Sequence, residues 1–268
     1  MVFLLGIVLS YLLSERVIRV AEYYDTSMQA AEPFIWTFGD PTAILLASLL
    51  LILMFSDVPK TGGVMPYYLT RMKRKEWMAA QFIYISLSTA LYVCFILLVT
   101  GILCMRYTFP GNLWSETAAR LAYSKLGGSL GVPASVKTME SITPYGCMVQ
   151  TGILMLLYSW TLCFLMLAVN LRFGKTKGIF AGVFYSLYGF LLEPEIIAKI
   201  MGLERYEVNV LVGWISPLNH GAYPGHSFGY DNLPTIGQSV GIFLVILSVL
   251  YWWAYRSLRS YNFTFTGY

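Results

Sequence analysis

The stretch CMVQTGILMLLYSWTLCFLMLAVNL, residues 147–171, decides the fold class. Its 25 residues contain no charged side chain. An α-helix rises about 1.5 Å per residue, so this stretch would be roughly 37 Å long as a helix. The hydrocarbon core of a bilayer is about 30 Å thick. The stretch therefore predicts a helix that crosses a membrane.

Five further stretches share this character, some of them only when their flanks are included. Together they predict an all-α polytopic membrane protein with six transmembrane helices in one domain, residues 1–268. No tandem repeat or low-complexity tract divides the chain. The predicted spans are Val2–Val20, Pro41–Val58, Ala79–Met105, Cys147–Leu171, Ile179–Leu192 and Ile236–Tyr255.

The composition of the whole chain agrees with this class. Apolar residues make up 57% of the chain and charged residues 12%, whereas soluble domains carry about a quarter charged residues. These values exclude an ordinary soluble globule and a disordered chain, and the net charge of +4 is too small to indicate a nucleic-acid partner. The four cysteines lie in or beside apolar runs without CxxC spacing, so we expect them to fill space between helices.

Lysine and arginine predict the orientation, because cytoplasmic loops are enriched in them. If both termini are cytoplasmic, the inner segments are 59–78, 172–178 and 256–268. Ten basic residues fall in these segments, and the remaining eight are spread over outer segments of more than twice the length. We therefore predict six spans with both termini inside. The ten inner basic residues are Lys60, Arg71, Lys73, Arg74, Lys75, Arg172, Lys175, Lys177, Arg256 and Arg259.

Two outer segments, 106–146 and 194–234, are too long and too patterned to be plain loops. In the first, Trp114, Ala118 and Leu121 recur at helical spacing, which predicts a short interfacial helix. In the second, the apolar pieces Ile196–Leu203 and Val208–Ile215 are each too short to cross. They predict two short re-entrant helices on the outer face.

Motifs for chemistry are scarce. The chain has no GxxxxGK[ST] and no HExxH motif, so it binds no nucleotide through a P-loop and shows no zinc-protease signature. We expect the two histidines, His220 and His226, to make ordinary hydrogen bonds in an outer loop; a metal pair with Glu193 or Glu195 is the alternative. The near absence of ionisable residues inside the spans argues against a proton- or sodium-coupled carrier.

The first inner loop is the most informative segment. In the sequence PYYLTRMKRKEW at 66–77, apolar residues alternate with basic ones. This spacing is compatible with two functions of the loop. A basic stretch beside the membrane can hold anionic lipid headgroups. An amphipathic helix can instead bind a soluble partner protein.

This loop also carries a family resemblance. Two short spans, the run Leu-Thr-Arg-Met-Lys-Arg-Lys-Glu-Trp at 69–77 and a long third span resemble the first half of ABC-2 type transporter permeases, the membrane subunits of bacterial exporters, including antimicrobial-peptide and lantibiotic exporters. Trp-Ile-Ser-Pro-Leu-Asn-His at 214–220 resembles a segment that these permeases place before their last span. In that family the loop between the second and third spans carries a coupling helix that binds an ATPase. The resemblance thus assigns partner binding to Tyr68, Arg71, Met72, Arg74, Lys75, Glu76 and Trp77.

The resemblance implies a permease subunit of an ATP-binding-cassette exporter, multi-pass in the bacterial cell (cytoplasmic) membrane, that moves a peptide or other amphipathic substrate. ATP and Mg²⁺ are then expected in a separate ATPase subunit, and we expect no catalytic residue, cofactor or metal in this chain. A second copy or a related permease would complete the pathway. The alternative is a membrane-embedded immunity or regulatory protein that binds a peptide or lipid without transport. The sequence identifies no substrate-binding residues.

Overall fold

The computed structural model describes residues 2–60, 71–124, 126–174, 176–192, 194–202, 204–229, 231–259 and 261. Within these residues the chain is predominantly helical, which confirms the predicted all-α class. The helices are α1 (Val2–Tyr24), α2 (Glu32–Thr37), α3 (Pro41–Met54), α4 (Arg74–Cys104), α5 (Glu116–Tyr123), α6 (Leu126–Leu130), α7 (Val136–Ser141), α8 (Pro144–Phe173), α9 (Lys177–Leu191), α10 (Pro194–Met201), α11 (Arg205–Ile215), α12 (Pro217–Gly221) and α13 (Ile236–Leu258).

Three of the described helices are long and apolar enough to cross a membrane: α4, α8 and α13. Their most apolar stretches have mean hydropathies of 2.3, 2.1 and 1.7. Helices α3 and α9 are also apolar but have 14 and 15 residues, which is roughly 21–23 Å of helix. Helix α1 has 23 residues, and Glu15, Arg16 and Arg19 lie in its C-terminal half.

Helix α8 forms the centre of the bundle. In its most apolar stretch 67% of the residues are buried, against 28% in α4 and 17% in α13. Helix α8 packs against α3, α4, α9 and α13. Helix α4 turns a row of apolar side chains outward, as expected for a helix in contact with lipid. This row consists of Ile83, Leu87, Leu91, Leu98 and Ile102.

Helix α9 approaches α8 closely because glycines face the contact. A Cβ on Gly178 would lie 2.5 Å from the carbonyl oxygen of Met166, and one on Gly182 would lie 3.0 Å from Met166 Sδ. Small residues of this kind let two helix backbones approach within the membrane. The short helix α9 is therefore held against the most buried helix of the chain.

The end of the bundle at the C-terminus of α1 carries a cap of short elements. Strands β1 (Met28–Gln29) and β2 (Thr108–Phe109) pair in parallel, and α2, α5, α6 and α7 surround them over a second apolar core. The predicted helix in the first outer segment is α5, whose first turn is capped by Ser115 Oγ accepting from Ala118 N at 3.0 Å. Helices α6 and α7 and the two strands have no counterpart in the sequence-based prediction.

Three boundaries differ from the prediction by four or more residues, and the first is the end of α1, which lies at Tyr24 and not at Val20. Helix α4 begins at Arg74, five residues before the predicted start at Ala79. Its first turn is stabilised by Lys73 N–H, which donates to Glu76 Oε2 at 3.1 Å. Helix α3 ends at Met54, four residues before the predicted end at Val58. The two short helices predicted in the second outer segment correspond to α10 and α11.

Candidate partner-binding surface

Four segments of the chain meet at one end of the bundle. Arg74 Nη1 at the start of α4 donates to the carbonyl oxygens of Leu258 at 2.9 Å and Arg259 at 2.8 Å, at the end of α13. The ring of Phe173 at the end of α8 lies 6.4 Å from that of Trp253 in α13. We call this the basic end and define it as residues 55–60, 71–77, 170–174, 176–178 and 252–259.

The basic end carries an excess of positive charge. Among its described residues the acidic side chains are Asp57 and Glu76. An acidic protein surface and a layer of anionic lipid headgroups are the two partners that such a surface attracts. The described basic side chains are Lys60, Arg71, Lys73, Arg74, Lys75, Arg172, Lys177, Arg256 and Arg259.

A buried asparagine joins the loops of this end. Asn170 in α8 donates through Nδ2 to the carbonyl oxygen of Val58 at 2.6 Å. Its Oδ1 accepts from the backbone N–H of Gly178 at 2.6 Å. Asn170 is fully buried. Its side chain therefore supplies the hydrogen bonds that water would otherwise make to the Val58 carbonyl and the Gly178 N–H. An asparagine near the end of an uncharged run was the sequence signal for this role, and the prediction overlooked it.

The residues assigned to partner binding divide into three groups. Tyr68 lies outside the described residues. Arg71 and Met72 form the turn before α4, with Arg71 exposed and Met72 half-buried against the core. The other four lie in the first turn of α4, so this part of the predicted coupling helix is continuous with the long helix that follows. These four are Arg74, Lys75, Glu76 and Trp77.

Trp77 and Arg74 make their contacts inside the chain. Trp77 is 2% exposed and belongs to the main apolar core, which also contains Phe55 and Val58. Arg74 binds the last carbonyl groups of α13, where a helix leaves acceptors unpaired and carries partial negative charge. In this conformation the indole of Trp77 is thus part of the core. The charged side chains of Arg71, Lys75 and Glu76 are exposed, so a partner protein could contact them.

The opposite end holds a buried network around Ser239, in the first turn of α13. His220 Nδ1 lies 2.8 Å and His226 Nε2 lies 2.9 Å from Ser239 Oγ. The second nitrogen of each ring faces backbone oxygen: His220 Nε2 lies 3.0 Å from the Trp214 carbonyl, and His226 Nδ1 lies 3.0 Å from the Ala222 carbonyl. The network fastens α12 and the segment after it to α13.

The metal alternative for the two histidines needs a ring nitrogen with room for a metal ion. Each nitrogen of both rings already has a partner, so none points to a free coordination position. Among the described residues no cluster of three metal-binding side chains occurs. Glu193 and the side chain of Glu195, the two carboxylates of that alternative, lie outside the described residues. Both histidines are buried and hydrogen-bonded.

The protonation state of the network follows from its contacts. A carbonyl oxygen only accepts, so the nitrogen that faces it carries the proton of the neutral ring. The remaining nitrogens of His220 and His226 then share the single proton of the Ser239 hydroxyl. Burial lowers the pKa of both rings, that of His226 to about 4. The three side chains therefore form a neutral structural network, and Ser239, which is fully buried, is not placed to attack a substrate.

A second buried polar group holds the cap of short elements together. Glu32 in α2 is fully buried. Its Oε1 accepts from Ser115 N at 2.8 Å, and its Oε2 accepts from Ser115 Oγ at 2.7 Å and from Gln29 N at 3.1 Å. Burial raises the pKa of Glu32 to about 7, and the three donors oppose that shift. The carboxyl group thus links strand β1 to the start of α5.

Comparisons with protein-family models, with curated proteins and with solved structures find no match for this chain.

Proposed function

We propose that the chain is a multi-pass protein of the bacterial cytoplasmic membrane, with α1, α3, α4, α8, α9 and α13 as six spans and both termini in the cytoplasm. The support is the basic end, because positive charge collects on the cytoplasmic side of membrane proteins. Helices α3 and α9, which are shorter than the hydrocarbon core, pack on α8. In this arrangement α10 and α11 lie on the outer face.

We propose further that the chain is the permease subunit of an ATP-binding-cassette exporter for a peptide or other amphipathic substrate. The family resemblance at 69–77 motivates this function. The observation that carries it is the link between the exposed basic turn of α4 and the end of α13 through Arg74. A partner ATPase that moves this turn would move two long helices together, which suits a rigid-body transition between two packed states.

The transport pathway would lie between two permease subunits. The interior of the described bundle is filled by apolar side chains, such as Met155, Leu162 and Leu167, that are fully or almost fully buried. A second copy or a related permease would therefore be needed to form a route. ATP and Mg²⁺ would be bound by the ATPase.

The experiment reverses the exposed charges and leaves the core intact. The double variant Arg71→Glu, Lys75→Glu is co-expressed with a P-loop ATPase encoded beside this chain. We expect at least a tenfold loss of ATPase co-purification at unchanged membrane expression, because like charges placed across an interface cost several kcal/mol. Trp77→Ala is avoided, since truncating a core tryptophan costs about 3–5 kcal/mol of folding stability.

The matched control reverses two exposed basic residues elsewhere, with Lys199→Glu and Arg205→Glu on α10 and α11. This control should co-purify as the wild type does. Wild-type co-purification of the Arg71, Lys75 variant would overturn ATPase binding at the basic end.

The second candidate function is a membrane-embedded immunity or regulatory protein that binds a peptide or lipid without transport. It is favoured by an open groove of about 540 Å³ beside the C-terminal half of α1. The size falls within the range of ligand sites. Vesicles that contain the chain and the ATPase separate the two functions: ATP-dependent accumulation of a labelled peptide supports the exporter, whereas binding without accumulation supports the alternative.

A further inference from the structure

The groove beside α1 has one charged wall and one apolar wall. Its charged wall includes Arg16 and Arg19 on α1, and its apolar wall includes Leu12, Leu126 and Leu130 from α1 and α6. We call this space the α1 groove. Neither the sequence motifs nor the proposed docking surface uses it.

Among the described side chains that line the α1 groove, Arg16 carries the charge that no carboxylate neutralises. Arg19 pairs with Glu15 one turn before it, so those two charges cancel. Arg16 donates through Nη1 to the carbonyl oxygen of Leu130 at 3.3 Å, and among the described residues it forms no ion pair with a carboxylate. Most of its five N–H donors are thus available for an anion.

The position of the Arg16 guanidinium depends on a glycine. Gly131 has a φ of +65°, and a Cβ at this residue would lie 3.0 Å from Arg16 Nη1. A side chain there would strain the backbone and crowd the guanidinium. The chain therefore turns at Gly131 in a way that leaves room for the arginine at the mouth of the groove.

The apolar wall continues along the outside of α1. Leu4, Val8 and Leu12 follow each other at intervals of four residues, so they lie on one face of the helix. Their exposed fractions are 68%, 52% and 50%. This apolar track leads from the first turn of α1 to the charged wall at Arg16.

Tyrosines surround the charged wall. Tyr23 is 81% exposed, and the ring of Tyr24 lies 4.8 Å from the guanidinium carbon of Arg120. Tyrosine is enriched where hydrocarbon meets water in membrane proteins. The aromatic side chains thus place the charged wall at the depth of lipid headgroups in the proposed arrangement.

We propose that the α1 groove binds one anionic phospholipid, with its phosphate on Arg16 and an acyl chain along Leu12, Val8 and Leu4. The net charge of +1 from Glu15, Arg16 and Arg19 suits one phosphodiester. The apolar track needs an occupant with a long hydrocarbon chain, which a soluble anion lacks. The proposal rests on the membrane location proposed above, but it does not depend on transport or on an ATPase.

The experiment measures lipid binding to the purified full chain in detergent by native mass spectrometry. The probes are phosphatidylglycerol, which is anionic, and phosphatidylcholine, which is zwitterionic. We expect the wild type to prefer phosphatidylglycerol about tenfold, which corresponds to about 1.4 kcal/mol, and Arg16→Gln to lose that preference, because glutamine lacks the positive charge that would attract the phosphate. Arg16→Lys should keep much of the preference.

The control variant is Arg106→Gln, which removes an exposed arginine after α4 that does not line the groove. It should bind like the wild type. An unchanged preference in Arg16→Gln would overturn the proposal, and so would displacement of the lipid by glycerophosphate at equal concentration, which would reveal a site for soluble anions. Carbonate extraction of membranes tests the membrane location separately. If carbonate releases the chain from the membrane, both the membrane location and the lipid site are overturned. If the chain is retained and Arg16→Gln keeps the wild-type lipid preference, the lipid site alone is overturned.

Discussion

The His220–Ser239–His226 network shows how single buried residues make this fold dependent on pH. The rings are buried, which favours their neutral forms, and burial lowers the pKa of His226 to about 4 from its usual 6.5. The unfolded chain therefore binds a proton at this residue more readily than the folded chain does. The contribution of neutral His226 to folding stability is fully present above pH 6.5 and is lost as the pH falls toward 4.

We predict that the apparent Tm of the wild type in detergent falls relative to that of His226→Gln between pH 7 and pH 4.5, because the comparison removes the opposite effect of Glu32, which both proteins share. A pKa difference of this size corresponds to roughly 3 kcal/mol once the pH is below both values. His226→Gln should have a lower Tm at pH 7, because it disturbs the buried contacts, and the Tm difference between the two proteins should shrink toward acid. An equal slope in both proteins would refute the role of His226. Glu32 acts in the opposite sense, because its raised pKa favours the protonated, folded form as the pH falls.

The residue scale also shows what the sequence could not reveal. The pattern at 66–77 shows alternating apolar and basic residues, but it cannot distinguish a tryptophan that faces a partner from one that faces the chain's own core. Trp77 is buried because α4 starts at Arg74 and turns that position inward. Likewise, His220 and His226 meet only because α12 and α13 fold together, a contact that a local motif does not encode.

At the scale of elements, hydropathy predicts the helices well. A helix covers most of each of the six apolar runs, because apolar length and the absence of charge are properties of a single segment. The pairing of β1 with β2 joins residues about eighty positions apart and has two residues per strand, so no local period indicates it. Helix α6 contains two glycines and lacks the apolar period that identified α5.

The close contact between α8 and α9 yields an element-scale prediction. Gly178→Ala should lower the apparent Tm by several degrees, because the new Cβ would lie 2.5 Å from the Met166 carbonyl oxygen, and backbone cannot move aside cheaply. The control is Gly241→Ala in α13, where no atom lies within 4 Å of the new Cβ. There alanine should raise stability by up to about 1 kcal/mol, since it favours the helix over glycine. A neutral or stabilising effect at Gly178 would contradict the packing.

At the scale of the whole molecule, the charge distribution and the fold agree. Basic residues that are distant in sequence, such as Arg74, Lys177 and Arg259, gather at one end because long helices that run back and forth connect them. The sequence-based count already separated these residues from the rest. What it could not supply is the contact between α4 and α13 through Arg74, which makes this end a single surface.

Membrane topology is the prediction that tests the whole arrangement. With six spans and a cytoplasmic basic end, a periplasm-active reporter fused after Tyr268 should give no signal, and a cytoplasm-active reporter should be active there. A cysteine at Arg205 should react with an impermeant maleimide added outside intact cells, and a cysteine at Lys73 should react after the cells are opened. Both positions are exposed, so accessibility itself does not bias the comparison. Periplasmic activity at the C-terminus, or labelling of Lys73→Cys from outside, would invert the orientation and move the proposed ATPase surface to the wrong side of the membrane.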